Sequence, residues 1–152
     1  MEQRIKCVLF DLDGTLINTN DLVVASFKHT VRQHLKKDIA AEELYCYFGE
    51  PLINIMRKLA PEKSEEMVGT YREFNLNKHD ELVTPFPGTA EMLADLDRRN
   101  FRLGVVTSKI RPMAERGLRL FGLDRWMDVL VSFEDTEHHK PHPEPMNIAM
   151  DR

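Results

Sequence analysis

The 152-residue sequence predicts an α/β fold in which a long helical insertion interrupts a parallel sheet. First, the apolar run at 6–10 is followed by Asp11 and Asp13, a pattern typical of a buried strand that carries acidic residues to the edge of a sheet. Second, residues 17–84 show helical patterns and no credible strand. Third, strand and helix patterns alternate after the proline- and glycine-rich boundary at 83–88, which is typical of a parallel sheet.

Apolar residues at helical spacing define the insertion. The first helix is predicted from apolar residues that recur every four positions: Val23, Phe27, Val31 and Leu35. Its N-cap is predicted to be Asn18, Thr19 or Asn20. Short helices are predicted over 41–47 and 51–59, with Phe48-Gly49-Glu50 between them and Pro51 in a first turn. Ser64 is the predicted cap of the last helix, which carries Met67, Tyr71 and Phe74.

The second half alternates between the two periodicities. Thr89 begins a predicted helix, and residues 101–107 follow as a strand. A helix over 112–121 is ended by Gly122, and residues 126–132 lead into or form another strand. A further helix begins at 146–150.

The composition is that of a globular chain, with 42% hydrophobic and 30% charged residues. The net charge of −4 gives no indication of a nucleic-acid partner. No apolar run approaches the ~20 residues of a membrane helix, and the N-terminus lacks a signal-peptide core, so we expect a cytoplasmic protein with no membrane partner. Cys7 in the predicted buried strand and Cys46 elsewhere are expected to be reduced and structural.

The first acidic motif is the sequence DLDGTL at 11–16. Side chains alternate along an extended chain, so Asp11 and Asp13 share one face. Two neighbouring carboxylates need a cation or a shared proton, and hard oxygen ligands suit magnesium. The alternative is a polar turn whose carboxylates cap the next helix. Gly14 permits a tight turn, and Thr15 offers a hydroxyl and an N–H.

Two further polar groups follow predicted strands. Thr107 and Ser108 end the strand GVV and could hold a phosphoryl oxygen, although such residues are also ordinary helix caps. Lys140 lies in a proline-flanked turn after the last strand, where its charge could offset that of a phosphate. The neighbouring histidines, His138, His139 and His142, invite a zinc interpretation, but the prolines prevent a helix that would present two ligands on one face.

These motifs together resemble those of the haloacid dehalogenase-like hydrolases, most of which are phosphatases. The resemblance implies a Rossmann-like core at 1–16 and 85–152 with an α-helical cap at 17–84. It also implies that Asp11 is the nucleophile, that Asp13 is the general acid/base, and that both bind Mg²⁺, Asp13 through its main-chain carbonyl. Thr107, the Ser108 amide and Lys140 would bind the substrate phosphate, while the role of Lys109 is left open. The long insertion argues against a response-regulator receiver, which also uses Asp, Thr and Lys.

One part of the family pattern has no match in the sequence. The family completes its magnesium site with a Gly-Asp strand end beyond the lysine. Glu144 and Asp151 follow Lys140 without a preceding apolar strand, and Glu134 and Asp135 come too early. Either another part of the chain supplies the missing ligand, or the C-terminal strands are missing, as in a truncated product. We expect the second, with exposed apolar surface and low or absent activity.

Within this superfamily, the chain most resembles the bacterial pyrophosphatases. The segments that carry this resemblance are 48–52, 71–75, 79–83 and 137–145. The implied substrate is pyrophosphate or another small phosphorylated molecule. A phosphoglycolate-type phosphatase is an alternative, because it shares the same core motifs. A truncated, inactive phosphate-binding remnant is the alternative from a different class. The sequence does not predict the oligomeric state or the cap residues that set specificity.

Overall fold

The computed structural model describes residues 5–47 and 50–152 and divides into two compact units. One unit combines the chain up to Asn18 with Thr84–Arg152, and the other is Thr19–Val83. The first is an α/β unit and the second is helical. The assignment of 17–84 as a cap stays a prediction.

Five strands occur in the described part of the α/β unit: β1 (Cys7–Phe10), β2 (Ile17–Asn18), β3 (Thr84–Pro85), β4 (Arg102–Val106) and β5 (Val129–Val131). Strands β1, β4 and β5 form a parallel sheet in the order β1-β4-β5. This confirms the predicted parallel α/β fold. Strands β2 and β3 form a separate antiparallel pair that joins the two ends of the helical segment. The sequence does not predict this pair, because two-residue strands carry no measurable periodicity.

The central position of β4 explains its composition. Leu103, Gly104, Val105 and Val106 are all buried. Gly104 pairs with Leu9 on one side and Val129 on the other. A Cβ built at Gly104 would lie 2.4 Å from Val129 Cγ1 and 2.8 Å from Leu9 Cδ2, so the glycine provides room for its neighbours.

Strand β1 is less buried than predicted. It lies at one edge of the described three-stranded sheet, where Cys7 is exposed and Val8, Leu9 and Phe10 are half-buried. A strand covered on one edge only leaves part of each side chain accessible, so the prediction of a buried, structural Cys7 is wrong. Cys46 is also exposed, and both cysteines are free.

Seven α-helices occur in the described residues: α1 (Asn20–Leu35), α2 (Ala41–Leu44), α3 (Leu52–Leu59), α4 (Ser64–Leu82), α5 (Thr89–Arg98), α6 (Arg111–Leu120) and α7 (Glu144–Asp151). Pro51 precedes α3 rather than lying in its first turn, and Ser64 is the first residue of α4 rather than its cap. Gly122 follows α6 with φ +62°, which fits its predicted role as a stop. Trp126 belongs to a 3-10 turn, so the last predicted strand is shorter than expected.

The helical unit has its own apolar core. It is built from Phe27, Leu44, Ile55, Met56, Met67 and Val68, contributed by α1 to α4. Phe27 packs edge-to-face on Tyr71 with ring centroids 4.9 Å apart. The predicted spacer residues Phe48 and Gly49 lie outside the described residues. Among the helices described, none combines the length and apolarity needed to span a membrane.

Candidate active site

The loop after β1 turns tightly and presents Asp11 and Asp13. The carbonyl of Leu12 accepts N–H groups from Thr15, Leu16 and Ile17 at 3.3, 3.0 and 3.0 Å. Gly14 has φ +78°, a conformation that L side chains rarely adopt. Leu12 and Leu16 are fully buried and anchor the loop, whereas the carboxylates of Asp11 and Asp13 remain 46% and 37% exposed. The sequence therefore folds here so that apolar residues hold the turn and acids face outward.

Lys140 contacts Asp11 across 129 residues of chain. Its Nζ lies 2.9 Å from Asp11 Oδ1 and 3.1 Å from the Val106 carbonyl at the end of β4. The Leu12 N–H also donates to Asp11 Oδ1, at 2.8 Å. Within residues 5–47 and 50–152, no group donates a hydrogen bond to Asp11 Oδ2. The structure thus brings together the first and third sequence motifs and leaves one carboxylate oxygen available.

Lys109 makes the corresponding contact with Asp13. Its Nζ lies 2.9 Å from Oδ1 and 3.1 Å from Oδ2, and the lysine side chain is only 17% exposed. No role for Lys109 is predicted from the sequence. The available signal was its position two residues after Thr107, at the same strand end. Each site carboxylate is therefore paired with its own lysine.

Thr107 and Ser108 follow β4 at the same edge of the sheet. Thr107 is buried, its N–H donates to the Val131 carbonyl at 2.9 Å, and its Oγ1 accepts the Lys109 N–H at 3.1 Å. Its hydroxyl hydrogen has no acceptor among the described residues. Ser108 is exposed, and its N–H is likewise without a described acceptor. Both groups are free to donate to a bound anion.

Glu134 and Asp135 belong to a network that centres on Arg111. The Arg111 N–H donates to both Glu134 carboxylate oxygens, and its guanidinium donates to Asp135 Oδ2 and to the Leu130 carbonyl. Partial burial would raise the pKa of Asp135, but hydrogen bonds from Ser132 and the Arg152 and Arg111 guanidiniums lower it well below its usual value. This network holds the segment after β5 against the start of α6.

The turn that carries Lys140 is held by Glu144 at the start of α7. The Glu144 carboxylate accepts the N–H groups of Glu137 and His138 at 2.9 and 3.3 Å. These bonds and the His138 side chain lower the pKa of Glu144. The described chain contains one group of three side chains able to hold a metal ion, His138, His142 and Glu144. A turn, rather than a helix, brings His138 and His142 together, so the prolines do not prevent two histidines from sharing a site.

The donors at Asp11 and Asp13 fit magnesium in type. Asp11 Oδ2 has no described hydrogen-bond donor, and no described N–H bonds to the main-chain carbonyl of Asp13. Carboxylate and carbonyl oxygens are the ligands that Mg²⁺ prefers, and it commonly binds through one or two carboxylates with water and phosphate in its other positions.

The family model for the haloacid dehalogenase-like hydrolase matches residues 8–152. The chain belongs to this family. It is 46% identical over 147 residues to the pyrophosphatase PpaX of Halalkalibacterium halodurans, covering 97% of this chain and 68% of that relative. It is 43% identical to PpaX of Bacillus cereus, with the same coverage of 97% and 68%. These findings confirm the resemblance predicted from the motifs, and the chain is a phosphohydrolase of this family.

Solved structures agree on the fold. The protein tyrosine kinase A (PtkA) of Mycobacterium tuberculosis superposes with a TM-score of 0.80 and 28% identity, covering 98% of this chain and 69% of that one. A haloacid dehalogenase-like family hydrolase of Streptococcus pneumoniae superposes with a TM-score of 0.83 at 21% identity, covering 97% and 69%. The second likeness concerns the fold alone.

Proposed function

We propose that this chain is a magnesium-dependent phosphatase that works through an aspartyl-phosphate on Asp11 and hydrolyses inorganic pyrophosphate. The observation that carries the proposal is the 2.9 Å contact between Lys140 Nζ and Asp11 Oδ1 at the carboxyl edge of the sheet. A cation beside a nucleophilic carboxylate lets a phosphate anion approach it, because the lysine offsets the repulsion between the two negative groups.

In the first step, Asp11 attacks phosphorus. Lys140 and the Leu12 N–H hold the Asp11 carboxylate in place through Oδ1. A bond forms between one carboxylate oxygen of Asp11 and phosphorus, the other oxygen being left for Mg²⁺, while the bond from phosphorus to the bridging oxygen breaks. Asp13 donates its proton to that leaving oxygen, which departs as phosphate.

In the second step, water releases the phosphoryl group. Asp13, now a carboxylate, accepts a proton from the water as its oxygen attacks phosphorus. The bond between phosphorus and Asp11 breaks, and a second phosphate leaves. One pyrophosphate and one water thus give two phosphates, with Asp11 and Asp13 restored.

The remaining groups bind and orient the phosphate. The Thr107 hydroxyl and Ser108 N–H lack described acceptors and would donate to its oxygens, with the remaining ammonium hydrogen of Lys140. Asp11 and the Asp13 carbonyl would hold Mg²⁺, which supplies positive charge against the transferring phosphoryl group. Lys109 positions the Asp13 carboxylate through both of its oxygens.

Similarity to PpaX supports pyrophosphate as the substrate. A pyrophosphatase needs a site that accepts a small, highly charged anion and excludes larger phosphate esters. The helical unit Thr19–Val83 would act as the cap that makes this selection.

Phosphate release from pyrophosphate, with and without Mg²⁺, tests the proposal. Asp11→Asn should lower kcat by about 10³-fold or more, because an amide oxygen does not replace the nucleophile. Asp21→Asn, which changes an exposed acid in the first turn of α1, is the matched control and should keep its activity. Intact-protein mass spectrometry of the quenched reaction should show one added phosphoryl group on wild type and none on Asp11→Asn.

Robust turnover by Asp11→Asn would overturn the nucleophile assignment. Faster hydrolysis of phosphoglycolate than of pyrophosphate would overturn the substrate assignment and leave the chemistry intact. Phosphate binding without turnover in the wild-type chain would favour a binding remnant over an enzyme.

A further inference from the structure

The turn around Lys140 brings two histidines and a glutamate together on the surface. His138 and His142 are separated by a reverse turn in which the His142 N–H donates to the His139 carbonyl at 2.9 Å. Their rings lie 4.6 Å apart. Glu144 begins α7 and faces both rings, so that one ligand atom from each of the three residues lies within 4.8 Å of the others.

We propose that His138, His142 and Glu144 form a binding site for a divalent transition-metal ion of the zinc class. Two imidazole nitrogens and one carboxylate oxygen are a common zinc set, with a fourth position left to water. The set differs from that of Asp11 and Asp13, which offers oxygen alone and suits magnesium. The inference is independent of the proposed phosphatase activity.

The distances between the ligand atoms suit such an ion. Ligands of a tetrahedral zinc lie about 3.3 Å apart, given zinc–nitrogen and zinc–oxygen bonds of about 2.0 Å. Glu144 Oε2 lies 2.6 Å from His138 Nδ1 and 3.9 Å from His142 Nδ1, so the required value falls between the two. We expect side-chain rotations to bring the three ligand atoms, which all lie within 4.8 Å of one another, to this spacing.

The glutamate is oriented in advance. Its carboxylate accepts the backbone N–H groups of Glu137 and His138, which fix its direction. Such supporting bonds are what orient metal ligands in known sites. The two histidines are 62% and 49% exposed, so an ion can reach them from solvent.

One hydrogen bond competes with the ion. The Glu144 N–H donates to His142 Nδ1 at 3.2 Å, and a metal at this nitrogen would replace that donor. The bond is long, and the Glu144 N–H lies in the first turn of α7, where an N–H has no partner within the helix. Replacing the Glu144 N–H by a metal ion at His142 Nδ1 therefore breaks no hydrogen bond within the helix.

The site flanks the residue that contacts Asp11. His138 lies two residues before Lys140 and His142 two residues after it. An ion bound by both histidines would therefore restrict the motion of the turn on either side of the lysine. We expect bound zinc to slow amide hydrogen exchange across residues 137–144 and to raise the unfolding temperature.

Calorimetric titration with Zn²⁺ in excess Mg²⁺ tests the proposal, because Mg²⁺ occupies oxygen sites and competes poorly for imidazole. We expect about one zinc bound per wild-type chain. His138→Ala/His142→Ala leaves the glutamate as the sole remaining ligand of the group and should abolish stoichiometric binding, a loss of more than about 100-fold in affinity. His139→Ala is the matched control: this neighbour stacks on Phe133 and lies outside the three-residue group, so its loss should leave binding unchanged. Circular dichroism checks that each variant is folded.

Co²⁺ provides a second measurement, since its visible absorption intensifies in a four-coordinate site. We expect this band in wild type and His139→Ala and its loss in the double variant. Equal zinc affinity in the folded double variant would overturn the proposal, as would the absence of stoichiometric binding to wild type. Binding that disappears in Asp11→Asn but persists in the double variant would place zinc at the acidic pair and would also overturn it.

Discussion

Lys109 bridges to Asp13 through both carboxylate oxygens, at 2.9 and 3.1 Å. Its removal should therefore affect the acid/base step more than substrate binding. We expect Lys109→Met to lower kcat by about 10-fold to 100-fold with a smaller change in KM, because a misplaced proton donor acts on the transition state. Steady-state kinetics on pyrophosphate across a pH series measures both parameters and any shift in the profile.

Lys58→Met is the control for Lys109→Met, because Lys58 also pairs with a carboxylate, Glu50 at 2.7 Å, but in the helical unit. It should leave kcat unchanged. Lys109→Arg keeps the charge and should recover part of the lost rate. If Lys109→Met and Lys58→Met behaved alike, Lys109 would have no positioning role.

Asp135 links stability to pH through its hydrogen bonds with Ser132 and the guanidiniums of Arg111 and Arg152. Its pKa in the folded state lies below its unfolded value, so the stabilisation is complete above about pH 4 and is lost as the pH falls toward the folded-state value. We expect Asp135→Asn to lower the free energy of unfolding by about 1–3 kcal/mol at pH 7.

The difference in the free energy of unfolding between wild type and Asp135→Asn should shrink in acid. Protonation of Asp135 then removes from the wild type the stabilisation that the variant already lacks. Urea unfolding at pH 7 and near pH 3 measures this change. A difference that stays constant or grows as the pH falls would contradict the linkage.

In the sequence, the residues that follow predicted strands were the ones that predicted most of the site. Asp11, Thr107 and Lys140 each follow an apolar strand, and parallel strands bring such residues to one edge. The Lys109–Asp13 contact joins residues 96 positions apart, and no local pattern specifies which lysine meets which acid. The group of His138 and Glu144 depends on the path of a turn, which hydrophobic periodicity does not encode.

Gly104 shows how one residue sets the spacing of an element. An added Cβ would overlap Val129 Cγ1 and Leu9 Cδ2, and the branched Val129 has little freedom to move. We expect Gly104→Ala to lower the free energy of unfolding by about 1–3 kcal/mol, as overpacking does. Gly69 in α4 is the control, because an added Cβ there meets nothing within 4 Å.

Gly69→Ala should be neutral or stabilising by about 0.5–1 kcal/mol, since alanine favours a helix. Chemical denaturation of both variants makes the comparison. Equal stability of Gly104→Ala and wild type would mean that the sheet expands freely at this position.

Long elements with strong periodicity were predicted well, and short ones were not. The spacing of Val23, Phe27 and Val31 predicted α1 because four turns repeat the pattern. The β2–β3 pair has two residues in each strand and escaped detection. The burial of β1 was overestimated because an apolar composition does not reveal whether a strand lies at the centre or the edge of a sheet.

At the scale of the whole molecule, each of the two compact units has a cluster of buried apolar side chains of its own among the described residues. Phe27 belongs to the core of the helical unit, and Val106 packs with Val131 and Ala149 in the α/β unit. The α/β unit is assembled from two stretches of chain on either side of the helical one, and the β2–β3 pair closes the junction between them. Stability need not be uniform across such a chain, because separate cores can open as separate cooperative units.

Paired core substitutions test this division. Phe27→Leu removes the edge-to-face contact with Tyr71, and Val106→Ala removes two methyl groups from the other core. Each substitution should lower the free energy of unfolding by about 1–2 kcal/mol. In native-state hydrogen exchange, Phe27→Leu should speed exchange mainly in α1, α3 and α4, and Val106→Ala mainly in β1, β4 and β5. Each variant is the control for the other, because both carry a core defect of similar size. Equal acceleration in both units by either substitution would mean that the chain unfolds as one cooperative block, because a local defect would then reach every amide through global opening.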